Sequence, residues 1–245
     1  MPSWTTPSRR EAPPEFGATP ALARRSLDEL AAANRFCRGT RSVVMSVAPL
    51  VARVPAGEVR VLDVGSGGGD IARGLAQWGR ETGHPLQVVA IDRNAEAVER
   101  AAVRSRGFAG ILHVRGDACD LPFGPDSFDF VLSSMMLHYF SLDEAAQLLA
   151  RFARIAKRAV VIADIERHWF PYLAIGVLAR VTGERLVRPQ FRSTVLEGFT
   201  RTELAGLTQA AGFARWRIRR YFPYRLVLVG ERGRPVIACP DETSY

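Results

Sequence analysis

The chain has few cysteines, one lysine and no long uninterrupted apolar run. Its three cysteines, Cys37, Cys119 and Cys239, stand far apart, so they form neither a disulfide framework nor a zinc-binding pattern. This cysteine usage favours a reducing cytoplasm, and no metal site is expected. The apolar segment 168–181 is broken by a proline and an arginine and is too short to cross a membrane.

The N-terminal residues also lack the apolar core of a signal peptide. Residues 1–19 are rich in proline, serine and charge, so we expect a flexible arm there. The 245 residues leave room for one α/β domain with small additions. With 47% hydrophobic and 24% charged residues, the composition is that of an ordinary globular protein.

Positive charge is concentrated in the second half of the chain. The formal net charge is +8, and residues 151–234 contain 17 basic and 6 acidic residues. A basic face there could attract nucleic acid, an anionic membrane or an acidic substrate. Alternatively, the many arginines and alanines beside a single lysine, Lys157, reflect a codon bias. No nucleic-acid recognition motif accompanies the charge, so no nucleic-acid partner is expected.

The chain is organised around a strand that runs into glycines and then into a helix. Val59–Val64 has the β-branched composition of a buried strand, and residues 71–78 have a helical pattern. The glycines between them allow a tight turn and close approach of a ligand to the backbone. A dinucleotide fingerprint would need glycine where Asp70 stands, and a phosphate loop would need a Gly-Lys-Ser/Thr sequence.

A second strand, 86–92, ends in the carboxylate of Asp92. An acid placed one β-α-β unit after a glycine loop can accept hydrogen bonds from both ribose hydroxyls of an adenosine. The alternative is that Asp92 caps the helix predicted over 95–106, although Asn94 already stands at the cap position. We therefore expect an adenosine-type cofactor.

Two motifs carry a resemblance to a known family. The order Asp63-x-Gly65-x-Gly67-x-Gly69 resembles motif I of the class I S-adenosylmethionine (SAM) methyltransferases. Asp117-Ala118 after Gly116, then a Leu-Pro-Phe and a Ser-Phe-Asp-x-Val segment, resemble the signature of the ubiquinone and menaquinone methyltransferase-like branch. The resemblance spans about residues 59–230 and leaves 1–58 and 166–198 unspecified.

The resemblance implies SAM as the cofactor. It also implies that Asp117 accepts a hydrogen bond from the adenine amino group and that the next backbone N–H meets the ring. An acid at the end of the first strand suits a cationic cofactor. The expected cofactor-binding residues are Asp63, Gly65, Gly67, Gly69, Asp92, Arg93, Asp117, Ala118 and Ser133.

The segment after the fourth strand supplies candidate catalytic groups. It lacks the Asn/Asp-Pro-Pro-Tyr/Phe sequence of DNA and protein amide methyltransferases, which argues against methylation of base amines. His138 can act as a general base toward a phenolic or enolic proton. The alternative is that His138 caps the next helix or lines the cofactor pocket. Tyr139 is a weaker candidate, and His168 is a third.

Residues 166–198, after the fifth strand at 159–164, are predicted to form a substrate lid. Their aromatic side chains suit an aromatic or lipophilic acceptor, and the alternative is a core or oligomer helix. Arg192 could pair with a substrate carboxylate or lie on the surface. The expected substrate-binding residues are Arg38, Met136, Trp169, Tyr172 and Arg192.

These patterns together predict an α/β, Rossmann-like domain with helices on both faces of a seven-stranded, mostly parallel sheet whose last strand is antiparallel. Residues 20–58 are predicted to form a helical cap, 59–234 the methyltransferase domain and 235–245 a tail. The two helices of the cap, 21–33 and 43–54, either cover the cofactor end of the sheet or pack as scaffold.

The predicted function is O-methylation of a phenol, hydroxyquinone or polyketide-derived ring, with methylation on carbon as the alternative. Two other classes stay open: an RNA-modifying or RNA-binding protein, and a non-catalytic subunit with the SAM fold. The expected partner is a small aromatic or lipophilic molecule. We expect a cytoplasmic monomer or homodimer without a transmembrane segment.

Overall fold

The computed structural model describes residues 39–55, 57–173 and 194–233. The predicted arm 1–19, the cap residues 20–38, most of the lid and the whole tail 235–245 lie outside these residues, as do Arg38 and Arg192. Within the described part, the chain forms one seven-stranded sheet with helices on both faces.

The sheet has the order β3-β2-β1-β4-β5-β7-β6. The first five strands in this order are mutually parallel, and β7 is antiparallel to both β5 and β6. The predicted sheet with its reversed last strand is therefore confirmed. The strands are β1 (Val59–Val64), β2 (Leu86–Asp92), β3 (Ile111–Arg115), β4 (Phe128–Ser134), β5 (Ala156–Ile165), β6 (Arg215–Tyr221) and β7 (Arg225–Glu231).

The helices begin at the residues whose chemistry favours a helix start. Ser141 and Thr200 each form a capping box with a glutamate three residues later, and Asn94 accepts a hydrogen bond from a free N–H of the first turn. The helices are α1 (Gly39–Val51), α2 (Asp70–Thr82), α3 (Ala95–Arg104), a 3-10 turn (Leu137–Tyr139), α4 (Leu142–Ile155) and α5 (Arg201–Ala211).

Each face of the sheet buries its own apolar layer. On one face α4 and α5 pack against inward residues such as Val131 and Ile162. On the other face α1 and α2 pack against the residues that alternate with these, such as Leu132 and Val161. This alternation follows from the period of two in a strand, and both sides are buried because parallel strands are covered by helices.

The first described helix, α1, packs on the sheet face as scaffold. Val43, Val47 and Leu50 are buried against β-strand residues of the same apolar cluster. Near its start, Thr40 lies so close to Gly74 of α2 that a Cβ on this glycine would be 2.4 Å from the threonine methyl carbon. This arrangement is the scaffold alternative for the second predicted cap helix. It also explains why α2 tolerates a glycine in its interior.

Among the described residues, no helix combines the length and the apolar character needed to cross a membrane.

Candidate cofactor site and active site

The candidate site lies at the carboxyl ends of the parallel strands. Val64 of β1 is paired with Ile91 of β2 and Ser133 of β4, and Asp92 is paired with Arg115 of β3. The loops that follow these strands therefore emerge at one edge of the sheet. This edge is where open α/β sheets bind their ligands.

The glycine loop after β1 needs its glycines for two different reasons. Gly65, Gly67 and Gly69 have φ angles of 72°, 50° and 73°, which side chains disfavour. A Cβ on Gly65 would lie 2.7 Å from the Met136 sulfur, and one on Gly69 would lie 2.8 Å from a ring carbon of His113. At Gly67 no atom of the described residues, apart from Gly67 and its chain neighbours, lies within 4 Å of that position. Gly67 is thus the point where the loop backbone is open to a ligand.

Asp92 is held by the glycine loop itself. Its Oδ2 accepts a hydrogen bond from the Gly67 N–H at 2.8 Å, and its Oδ1 accepts one from the Asn94 N–H at 2.9 Å. Asn94 caps α3, accepting from the Ala97 N–H at 3.2 Å, so the cap role belongs to Asn94. Each carboxylate oxygen of Asp92 keeps acceptor capacity for a further hydroxyl.

Asp117 lies in the loop after β3, because this strand ends at Arg115. One of its oxygens accepts a hydrogen bond from the Cys119 N–H at 2.8 Å. The N–H of Gly116 donates to the Asp92 carbonyl at 3.0 Å, which joins this loop to the Asp92 loop. Asp117 is exposed, so its carboxylate is available to an exocyclic amine.

Asp63 is a buried carboxyl group with an unsatisfied oxygen. The residue is 1% exposed, and its Oδ2 has no hydrogen-bond partner among the described residues. Burial, with the negative charges of Asp92 and Asp70, raises the pKa of Asp63 to about 7. A cation beside this carboxyl group would lower that pKa and satisfy the oxygen. The residues present therefore fit a nucleoside that carries positive charge.

His138 and Asp164 form a buried pair at the ends of β4 and β5. The His138 Nδ1 lies 2.7 Å from Asp164 Oδ1, and Asp164 Oδ2 accepts from the His138 backbone N–H at 3.2 Å. Asp164 Oδ1 also accepts from the Ile165 N–H at 2.8 Å. Since a carboxylate only accepts, Nδ1 carries the proton and Nε2 presents a lone pair. That Nε2 is buried and has no partner among the described residues.

The contacts of this pair help to distinguish the two interpretations of His138, which are a general base and a residue that caps the next helix or lines the cofactor pocket. Ser141 caps the following helix, so the capping alternative does not describe His138. Asp164 was not among the predicted site residues. Its signal was an acid at the end of a parallel strand, which is the same signal that identified Asp92.

Tyr139 packs against His138, with ring centroids 4.2 Å apart. Burial, with the charges of Asp164 and Glu197, raises the pKa of Tyr139 to about 12. The phenol therefore remains protonated at neutral pH and can donate a hydrogen bond. A protonated phenol is better suited to orient a ligand by donating a hydrogen bond than to act as a base.

The other predicted site residues fall into separate environments. Ser133 is buried on β4, and its hydroxyl has no partner among the described residues. Met136 packs on Gly65, while Arg93 is exposed next to Asp92. The ring contacts of His168 are with Trp169, at a centroid distance of 5.7 Å, and with Tyr224, and not with the His138–Asp164 pair. Ala118 and Tyr172 are half-buried.

A second histidine, His113, supports the glycine loop and was not among the site residues predicted from the sequence. His113 contacts Gly69 and places its Nε2 2.9 Å from the Ser105 hydroxyl. Burial and the charge of Arg73 lower the pKa of His113. Arg73 donates to the Gly68 carbonyl at 2.8 Å and pairs with Asp70. The neutral imidazole of His113 and the guanidinium of Arg73 thus both contact the glycine loop and stabilise it.

No group of three or more histidine, cysteine, aspartate or glutamate side chains is arranged to hold a metal ion in residues 39–55, 57–173 and 194–233.

Comparison with known proteins finds methyltransferases among the proteins that are similar to this chain. A family described as a methyltransferase domain matches residues 61–159. An uncharacterized methyltransferase from Synechocystis is 27% identical, with 73% of this chain and 77% of that protein covered. A 2-phytyl-1,4-naphthoquinone methyltransferase from Synechococcus elongatus is 34% identical, but only 46% of this chain and 49% of that protein are covered.

The fold is also similar to solved structures. The crystal structure of magnesium protoporphyrin IX methyltransferase from Synechocystis with bound S-adenosylhomocysteine has a TM-score of 0.58 and 19% sequence identity. The alignment covers 81% of this chain and 84% of that chain. At this identity the likeness concerns the fold.

Proposed function

We propose that the chain is a SAM-dependent methyltransferase that methylates a hydroxyl oxygen on a small, lipophilic aromatic acceptor such as a phenol or hydroxyquinone. The observation that carries this proposal is the buried His138–Asp164 pair, whose free Nε2 lies in the turn that follows β4. The carboxylates of Asp63 and Asp92 at the ends of the neighbouring strands complete the proposed site.

The residues of the chain divide the work of binding and proton transfer. When bound, SAM supplies an electrophilic methyl group on a sulfonium. Asp92 and Asp117 would hold the ribose and adenine, and Asp63 would face the positive charge of the cofactor. His138 Nε2 takes the acceptor's hydroxyl proton, and Asp164 stabilises the imidazolium that results. Tyr139 donates a hydrogen bond that orients the acceptor oxygen.

Support for an aromatic, lipophilic acceptor comes from the segment after β5. Trp169 and Phe170 lie 5.8 Å apart in an edge-to-face arrangement, and Phe170 stacks on Tyr224. Aromatic side chains with a few polar groups are typical of sites that take planar apolar ligands. The 34% identical relative is named for a naphthoquinone substrate. Methylation on carbon is the second candidate, because the same base can remove the proton of an enolisable ring carbon.

We expect turnover of SAM to S-adenosylhomocysteine in the presence of hydroxynaphthoquinones and simple phenols. Mass spectrometry of the product measures the added methyl group, and carbon NMR distinguishes a methoxy carbon from a carbon-bound methyl. A methoxy product supports the proposal, and a carbon-bound methyl supports the second candidate. Binding of S-adenosylhomocysteine with no turnover on any ring acceptor would contradict both.

The affinity for SAM is expected to depend on pH through Asp63. Because the pKa of Asp63 is raised to about 7, the carboxyl group of the free protein is mostly protonated at pH 6 and mostly ionised at pH 8. A cationic ligand binds the ionised form, so binding below the pKa releases a proton. The association constant should therefore decrease as the pH falls below 7. The decrease should approach about tenfold for each pH unit.

Calorimetric titration in buffers of different ionisation enthalpy measures both the affinity and the released proton. Asp63→Asn is the control, since its amide cannot ionise. We expect weaker binding and a flat profile for this variant. An affinity of the unmodified protein that is equal at pH 6 and pH 8 would be inconsistent with this role of Asp63.

A further inference from the structure

Four large apolar side chains are exposed near the active-site edge of the sheet. Phe222, in the turn between β6 and β7, is 86% exposed, and Trp169, Phe170 and Leu173 are 50–56% exposed. Ring contacts connect the two segments, because Tyr224 lies 4.8 Å from His168 and 5.8 Å from Phe170. We call the surface formed by residues 168–173 and 222–224 the aromatic edge. An exposed apolar cluster of this kind marks an interaction site.

Arginines flank the aromatic edge. Residues 215–225 contain five arginines, four aromatic residues and no acidic residue. Arg217 pairs with Glu231 and Arg220 pairs with Glu166. Arg219 is exposed, lies three residues before Phe222 and has no ion-pair partner among the described residues. The aromatic edge therefore carries positive charge that the fold does not neutralise.

The aromatic edge is continuous with the wall of the candidate active site. Ile165, which follows Asp164, is paired with Arg225. The next residue, Glu166, donates its N–H to the Tyr224 carbonyl at 2.8 Å. The exposed aromatic side chains thus begin within a few residues of the His138–Asp164 pair, at the same edge of the sheet.

We propose that the aromatic edge docks on an anionic lipid bilayer. Amphipathic and aromatic side chains insert at the boundary between headgroups and acyl chains, and arginine at the rim is attracted to anionic headgroups. The strength of such binding increases with the apolar area that is buried and with the electrostatic attraction to anionic lipids. The unpaired charge of Arg219 favours an anionic lipid surface as the partner. If the aromatic edges of two copies packed against each other, the two Arg219 side chains would repel each other. The docking is independent of the reaction, while delivery of the acceptor from the bilayer rests on the proposed function.

Flotation of the full chain with lipid vesicles tests the proposal. We expect it to float with vesicles of phosphatidylcholine mixed with phosphatidylglycerol and to remain unbound with phosphatidylcholine alone. Phe222→Ser should lower the partition coefficient about tenfold, because a large apolar side chain no longer inserts. Arg219→Gln should lower it about fivefold on the anionic vesicles. Binding should also weaken with added salt.

Matched control variants distinguish binding through the aromatic edge from non-specific adsorption to vesicles. Leu112→Ser removes an exposed apolar side chain from the opposite edge strand, and Arg106→Gln removes an exposed charge after α3. Both should bind like the unmodified chain. Equal losses in the controls, or no binding to anionic vesicles, would overturn the proposal. So would a dimer in solution that Phe222→Ser converts to a monomer, since the aromatic edge would then be a face between copies. Binding of S-adenosylhomocysteine is measured in parallel, so that failure of the proposed function is seen separately.

Discussion

Replacing Asp92 by alanine is expected to weaken S-adenosylhomocysteine binding by about a hundredfold or more. In the proposed site Asp92 accepts hydrogen bonds from both ribose hydroxyls, and hydrogen bonds to a charged acceptor contribute about 1.5–3 kcal/mol each. The same carboxylate holds the Gly67 N–H at 2.8 Å, so its loss also releases the open part of the glycine loop. Calorimetric titration measures the change in affinity.

Two variants show whether the loss is specific. Asp92→Asn keeps one side-chain oxygen and should bind with intermediate affinity. Glu99→Ala removes an exposed acid from α3 and should bind normally. All three should unfold at nearly the same temperature as the unmodified chain. An Asp92→Ala protein that is folded and binds normally would mean that the nucleoside lies elsewhere.

Replacing His138 by glutamine is expected to lower kcat by about 10²- to 10⁴-fold, which is the usual contribution of a positioned general base. Asp164→Asn should cause a similar loss, because the amide can donate to Nδ1 and so move the imidazole proton to Nε2. The double variant should be little worse than either single one, since the two residues act as a unit. Steady-state kinetics with a weakly acidic phenol measure these effects.

The acidity of the acceptor distinguishes a base from a structural residue. A phenol acidic enough to be ionised already at neutral pH has no proton to lose, so both variants should methylate it at nearly the normal rate. Losses of equal size on acidic and weakly acidic phenols would contradict the proton-transfer role. His84→Gln is the control, since His84 is half-buried, lies outside the proposed site and stacks on Trp78 with ring centroids 5.3 Å apart.

The cofactor side of the site could be predicted from the sequence because its determinants are local. A β-branched strand followed by closely spaced glycines specifies a strand and a tight turn, and the acids after β2 and β3 are adjacent to the ends of their own strands. Parallel neighbours bring those ends together without any detail of side-chain packing. Asp92 and the glycine loop accordingly lie in hydrogen-bond contact.

The catalytic side could be predicted only in part. His138 was singled out by residue type, but its partner Asp164 is 26 positions away and depends on the pairing of β4 with β5. Similarly, His113 supports Gly69 only because α3 and β3 pack behind the loop. Contacts between distant segments depend on strand order and on helix packing, which local periodicity does not specify.

The sequence by itself determined the order of strands and helices, the glycine loop and the carboxylates at the strand ends, because each of these follows from residue type within a few positions. Only the tertiary structure decided the raised pKa of Asp63, the tautomer of His138 and the exposure of Phe222. These three depend on how deeply each side chain is buried and which groups surround it. Burial is a property of the packed layers, and no single segment carries it.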